Sequence, residues 1–346
     1  MIRAEWCRYR LKFRFLAKTS REEMREKITY FVRIHDTDRS EVCGIGECAL
    51  FRGLSADDTA DYEKRLSEVC QNPCGELPAM SSIRFGFETA MADLRNGGIR
   101  KVCDSPWLSE GRPIAINGLI WMGDSQTMVE RVKEKIERGF KILKLKIGGI
   151  DFDDELSIIR SIRDSFDKND LEIRLDANGS FTASNALRCL DRLSGYDIHS
   201  IEQPVAAGQP ELMKHICEVS PIDIALDEEL IGFRTDGETD ELLDCIRPAY
   251  IIIKPALCGG FERADRWIET ARRYNIGWWA TSALESNIGL NAIAQWVSAK
   301  DNQLVQGLGT GELYENNIES PLAMDGANLI YRPERRWTIP DLSWRV

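Results

Sequence analysis

The sequence predicts an α/β protein, a modified (β/α)8 TIM-like barrel of (β/α)7β form behind an N-terminal α+β capping domain. Three observations predict it. From Pro113 onward, short β-rich runs recur about every 25 to 30 residues, and amphipathic helical stretches lie between them. Eight such runs can be read, the number that closes a parallel sheet on itself. Before Pro106 the pattern differs: three segments alternate with period two, and two helical stretches follow. The division expected is a cap over 1–108, a barrel over 109–317 and a tail over 318–346 that returns to the cap.

In order, residues 5–15, 27–34 and 40–48 alternate apolar and polar as half-buried strands of a meander. Helical patterns follow over 56–70 and 81–96, the second opening at Ser81-Ser82 and closing at Gly97-Gly98 as capping chemistry expects. Pro106 and Pro113 bracket a boundary. The eight runs are PIAINGLI, FKILKLKIG, LEIRLDAN, IHSIEQP, IDIALDEE, AYIIIKP, IGWWATSA and NQLVQGLG, with helices expected at 124–138, 153–166, 182–194 and 261–274. No full helical unit follows the eighth, so the last helix is expected to be missing or shortened.

Composition narrows the chemistry. The chain has 346 residues, with 45 Lys and Arg against 56 Asp and Glu for a formal charge of -11, which argues against nucleic acid or anionic lipid as a partner and for a small substrate. No apolar run approaches the roughly 20 residues of a spanning helix and the N-terminus lacks a cleavable h-region, so a cytoplasmic location and no membrane partner are expected. Ten cysteines without a CxxC read as reduced packing residues. Only His35, His199 and His215 are present, with no HExxH, and there is no GxSxG elbow, Walker loop or GxGxxG turn. The chemistry therefore falls to carboxylates and lysines. No feature of the sequence specifies an oligomeric state.

In a βα barrel the active face lies at the C-terminal ends of the strands, and here those ends are charged. They read Lys144-Leu145-Lys146, Asp176-Ala177-Asn178, Glu202-Gln203-Pro204, Asp227-Glu228-Glu229 and Lys254-Pro255. Alternation puts Lys144 and Lys146 on the inward face together. Asp176, Glu202 and Asp227 converge from three successive strands, and such a cluster calls for a hard divalent cation, Mg²⁺ best, with Mn²⁺ as a substitute. Lysines on opposite sides of it suit proton abstraction beside a carboxylate: a lysine whose pKa is lowered by the metal and a second ammonium group can serve as base, and the metal stabilises the enediolate.

This succession of KxK, DAN, EQP, DEE and KP resembles the enolase superfamily, in its muconate-lactonizing subgroup, over nearly the whole chain. Ile253-Lys254-Pro255-Ala256-Leu257 with Gly259-Gly260-Phe261, then Ser282 to Leu290, then Gly307-Leu308-Gly309-Thr310-Gly311 look like the o-succinylbenzoate synthase family. The resemblance implies Mg²⁺-dependent syn dehydration of 2-succinyl-6-hydroxy-2,4-cyclohexadiene-1-carboxylate to o-succinylbenzoate, a carbon-oxygen lyase step toward menaquinone. It implies Asp176, Glu202 and Asp227 as metal ligands, Lys146 as base, Lys254 facing the enediolate and Lys144 supporting Lys146. Gly46 to Leu50 and the segment around Thr19, Ser20 and Arg21 match capping loops more loosely, and Cys48 to Arg52 lacks a Pro that related loops often carry. Asn178, Ser282, Ser286, Thr19 and Arg21 are the substrate-binding residues expected, with Trp278 and Trp279 as apolar neighbours; Ser282 and Ser286 could equally cap helices. Rival readings are a dipeptide epimerase or cycloisomerase of the same subgroup, against which residues 307–312 lack a DxD pair, and a non-catalytic metal-binding scaffold, against which no lysine or ligand is missing.

Overall fold

The computed structural model describes residues 1–18, 23–120 and 125–346. The chain opens with an antiparallel meander in the order β1 (Ile2–Lys18), β2 (Glu23–Asp36) and β3 (Arg39–Cys48), covered on one face by α1 (Tyr62–Gln71) and α2 (Ser81–Arg95). Trp6, Tyr30, Val32, Tyr62 and Phe87 form the core between them. The glycines of GIG have a packing reason. A Cβ on Gly44 would lie 2.1 Å from the Ala90 carbonyl oxygen and one on Gly46 would lie 1.9 Å from that of Gly86, so only glycine lets β3 rest on the α2 backbone.

Two local expectations change. The first helix begins at Tyr62 rather than 56, because residues 51–58 are folded by their own side chains: Ser55 Oγ accepts the Phe51 N–H at 2.9 Å and Asp58 accepts that of Gly53 at 2.8 Å. The second opens at Ser81 as expected, but its N-terminus is capped by Asp57, whose carboxylate takes the Ser82 N–H at 2.8 Å and hydroxyl at 2.6 Å. Gly97 and Gly98, at φ +88° and +72°, end it in the left-handed region.

A short α3 (Pro106–Ser109) buries Trp107 against the second unit, and β4 (Ile114–Ala115) follows. Then seven parallel strands run in unbroken neighbour order: β5 (Gly118–Ile120), β6 (Ile142–Lys146), β7 (Glu172–Asp176), β8 (Ile198–Glu202), β9 (Asp223–Leu226), β10 (Tyr250–Ile253) and β11 (Gly277–Ala280). The helices between them are α4 (Ser125–Glu137), α5 (Phe152–Ser165), α6 (Ala186–Ser194), α7 (Pro210–Val219), α8 (Asp236–Ile246), the short α9 (Pro255–Cys258) with α10 (Gly260–Arg273), and α11 (Asn287–Ser298) follows β11. The helix expected from 182 begins at Ala186, since Asn185 Oδ1 takes the Thr182 N–H at 2.7 Å and holds a turn there. This is a TIM-like barrel with a capping domain, as the sequence predicts.

The eighth stave is not a strand. Gln306 donates its N–H to Ala115 and accepts that of Asn117, both at 2.9 Å, while Gly307 donates to Ala280 at 2.7 Å, so two residues join the last strand to the first. The first run is broken too: β5 pairs with β6, but β4 pairs with the hairpin of β12 (Leu322–Asp325) and β13 (Asn328–Tyr331). Among the described residues no helix follows α11. The chain end reaches the meander, where Arg345 and Trp6 exchange two backbone bonds at 2.8 Å.

Candidate active site

Register carries the inward-facing charges to one level. Lys146 lies opposite Asp176, and Asp176 opposite Glu202, in the parallel ladders; Glu202 pairs with Ala225, which places Asp227 on the same face one step higher. Beneath them Trp279, Ile252 and Ala225 plug the barrel, with the Arg174 guanidinium 4.3 Å above the Trp279 ring. The charged layer is thus the floor of a cavity and not a channel. That cavity, about 590 Å³, is walled by Lys144, Lys146, Lys254, Asn178, Asp227 and Glu228 at this floor. Phe15, Phe51, Leu54, Ile120 and Leu284 make part of its apolar walls.

Asp176, Glu202 and Asp227 are all buried, and the lysines neutralise them. Lys144 Nζ lies 2.7 Å from Asp176 Oδ2 and 2.6 Å from Glu202 Oε2. Lys146 Nζ lies 2.6 Å from Asp176 Oδ2 and donates to Asn178 Oδ1 at 2.8 Å. Lys254 pairs with Asp227. Burial opposes charging Lys144, but Asp176 and Glu202 outweigh it and hold the ammonium above the ordinary lysine value. The same balance, with Asp227 the main partner, raises Lys254. Burial should raise Asp176, yet Lys144 and Lys146 hold it well below the carboxylate range.

Glu202 goes the other way. Burial, with the charges of Asp176 and Asp227, pushes it well above the ordinary carboxylate value despite Lys144. Three hard oxygen donors from neighbouring strands fit a divalent cation by chemistry. As placed, their oxygens turn onto ammonium groups, and no set of three or more His, Cys, Asp or Glu among the described residues is arranged to hold a metal ion.

The remaining expected residues divide. Asn178 reaches the floor and donates to Glu228 Oε1 at 3.0 Å. Ser282 lines the cavity, but its hydroxyl is engaged by Glu285, by Thr310 at 2.8 Å and by the Leu284 N–H at 3.0 Å. Ser286 does not reach the cavity: it is the N-cap of α11 and donates its hydroxyl to Glu47 at 2.6 Å. Trp278 packs outward against Trp296 at 5.8 Å and Trp279 lies below the floor, so neither forms the apolar wall expected of them. Thr19, Ser20 and Arg21 lie outside the described residues. The Gly46 to Leu50 segment is buried in the cap; the residues just after it, Phe51 to Leu54, meet the cavity. Glu228 was not singled out by sequence reasoning, although the DEE motif held the signal: the 3₁₀ turn at Glu228–Leu230 brings the second acid to the mouth beside the first.

A capped barrel with carboxylates on three neighbouring strands and lysines on strands opposite one another defines a class of barrel enzyme. The family model "Enolase C-terminal domain-like" matches residues 127–332. An o-succinylbenzoate synthase of Desulfotalea psychrophila is 42% identical over 92% of this chain and 96% of that protein. The chain belongs to the enolase superfamily and, within it, to the o-succinylbenzoate synthase family. The crystal structure of MenC from Desulfotalea psychrophila superposes with a TM-score of 0.85 at 39% identity, covering 95% of this chain and 99% of that one. A dipeptide epimerase from Enterococcus faecalis, complexed with Mg and L-Leu-L-Tyr, superposes with a TM-score of 0.82 at 19% identity over 95% and 97% of the two chains, which is a likeness of fold.

Proposed function

We propose that this enzyme catalyses the Mg²⁺-dependent syn dehydration of 2-succinyl-6-hydroxy-2,4-cyclohexadiene-1-carboxylate to o-succinylbenzoate, a cytoplasmic step toward menaquinone. One observation carries the proposal beyond family membership: Lys146 and Lys254 stand across the barrel from one another, on β6 and β10, at the floor of a cavity with apolar walls. Asp176, Glu202 and Asp227 would hold the cation, which when bound lowers the energy of the enediolate's negative charge. Lys146 takes the proton from the carbon bearing the carboxylate. The electron pair left behind then expels the hydroxyl from the same face, making the ring aromatic, and Lys146 returns its proton to the departing oxygen so that water leaves. Lys254, held charged by Asp227 and Glu202 against the cost of burial, faces the enediolate from the other side. Lys144 binds Asp176 and Glu202 together and so fixes the acids on which Lys146 rests.

The epimerase reading is disfavoured by the segment that would receive a substrate ammonium. Its one acid, Glu312, lies 3.3 Å from the Arg138 guanidinium and is already paired. The test is a direct assay of the cyclohexadiene acid beside a dipeptide panel. Dehydration is expected, abolished by exhaustive chelation and restored by Mg²⁺, with Mn²⁺ as substitute. Efficient epimerisation of L-Ala-L-Glu without dehydration would overturn the assignment, and full turnover after chelation would remove the metal from it.

A further inference from the structure

The turn after β11 is a second place where charge is buried, and the reaction makes no use of it. Leu284 lines the cavity with φ +61°, a left-handed conformation that leucine rarely adopts. Its carbonyl receives two donors from other parts of the chain, Lys27 Nζ of β2 at 3.0 Å and the Tyr314 hydroxyl at 2.8 Å. Two residues on, Glu47 of β3 accepts four bonds: the Thr29 hydroxyl at 2.8 Å, the Ser286 N–H at 3.0 Å, the Ser286 hydroxyl at 2.6 Å and the Gly289 N–H at 3.0 Å. The cap's carboxylate thereby covers the N-terminus of a barrel helix. Gly289 permits the approach, since a Cβ there would lie 3.0 Å from Glu47 Oε2 and 2.7 Å from Glu285 Cγ.

Lys27, Glu47 and Glu285 are buried, and one oxygen of Glu285 has no hydrogen-bond partner. Burial lowers Lys27 below the ordinary lysine value against the pull of Glu47 and Glu285, and raises Glu285. A buried charge cluster need add nothing to stability over an apolar contact of the same size, and in some proteins it is the device that specifies geometry and register. Here it joins cap strands to a turn that faces the cavity.

We propose that Lys27 and Glu47 are positioning residues: the cap clamps residues 284–286 so that Leu284 keeps its strained conformation and sets the shape of the cavity wall. What that wall contacts rests on the function proposed above. The clamp therefore decides how tightly substrate is held, and leaves the proton transfer on Lys146 unaltered.

The test uses the whole enzyme with Lys27→Met, Lys27→Arg, Tyr314→Phe and the electroneutral pair Lys27→Met/Glu285→Gln. Lys27→Met should raise KM for the cyclohexadiene acid about tenfold, the scale of one lost charged hydrogen bond, with kcat within about twofold. Lys27→Arg should recover most of it. The double variant, which leaves the net buried charge as it is in the parent, should still show the raised KM, and Tyr314→Phe should raise it several-fold without touching any charge. In parallel, hydrogen exchange of residues 282–290 needs no substrate: it should accelerate in the variants while β6 to β10 keep their protection. Faster exchange in variants of a parent enzyme that does not dehydrate the acid would sink the proposed reaction and leave the clamp standing. Parental KM and exchange in the double variant or in Tyr314→Phe, or a fall in kcat at unchanged KM, would overturn the clamp.

Discussion

Lys144 and Lys146 share one face of β6, yet their partners differ. Lys144 bridges two carboxylates, whereas Lys146 rests on one carboxylate and on the amide oxygen of Asn178, at the edge of the cavity. Their shared orientation was readable from alternation alone. The division of labour proposed for them was not, since it rests on which carboxylate each ammonium reaches. Removing a general base typically costs about 10² to 10⁴ in rate. Lys146→Ala should accordingly bind substrate and lose both dehydration and exchange of the α-proton with D₂O, followed by NMR. If Lys254 acts only as a charge, Lys254→Arg should recover more turnover than Lys146→Arg. The reverse order would place the base on the other face.

At the scale of elements, helix boundaries were set by distant groups that one-dimensional patterning does not contain. Asp57 caps α2 and Glu47 caps α11, and Glu88 of α2 accepts the Phe261 N–H at 2.5 Å at the start of α10. The sequence places a helix in each region but offers no means of pairing an acid with an N-terminus so far along the chain. Glu88 also yields a pH prediction. Burial pushes its carboxyl from 4.5 up to about 7, against the bond from Phe261. The folded state therefore keeps a proton that the unfolded chain releases, and the stability this group contributes, complete below about pH 4.5, is lost as pH rises towards 7. Glu88→Gln removes that slope. Between pH 5 and pH 8 the variant should gain about 1 to 3 kcal/mol on the parent in denaturant unfolding, since each tenfold difference in proton affinity between folded and unfolded chain is worth ~1.4 kcal/mol. Parallel pH profiles would show that Glu88 titrates normally.

Over the whole molecule, closure of the barrel depends on two residues, Gln306 and Gly307, doing the work of a strand. Besides its backbone bonds to Ala115 and Asn117, Gln306 accepts the Ala280 N–H on its side-chain oxygen at 2.7 Å. Gln306→Leu keeps the volume and leaves that buried N–H without an acceptor. Such a loss costs about 1 to 3 kcal/mol, expected as a lower denaturant midpoint at unchanged m-value. An unshifted midpoint would mean that another group or water takes the bond. The run NQLVQGLG correctly located the closing stave, but its β-rich reading promised a strand where only single bridges at Gln306 and Gly307 form, in a stretch that glycines at 307 and 309 weaken as a strand.

The sequence by itself determined the parallel barrel, the capping meander and the inward set of Lys144, Lys146, Asp176, Glu202, Asp227 and Lys254, because these depend on period and on spacing along one strand. Tertiary structure alone decided what meets across the fold. It sent Ser286 to Glu47 and not to the cavity, put Trp279 beneath the floor, brought Phe51 and Leu54 to the wall, and turned each carboxylate towards a particular lysine. The reason is physical: alternation fixes the face on which a side chain emerges, but its partner depends on elements tens or hundreds of residues away, whose approach is set by packing.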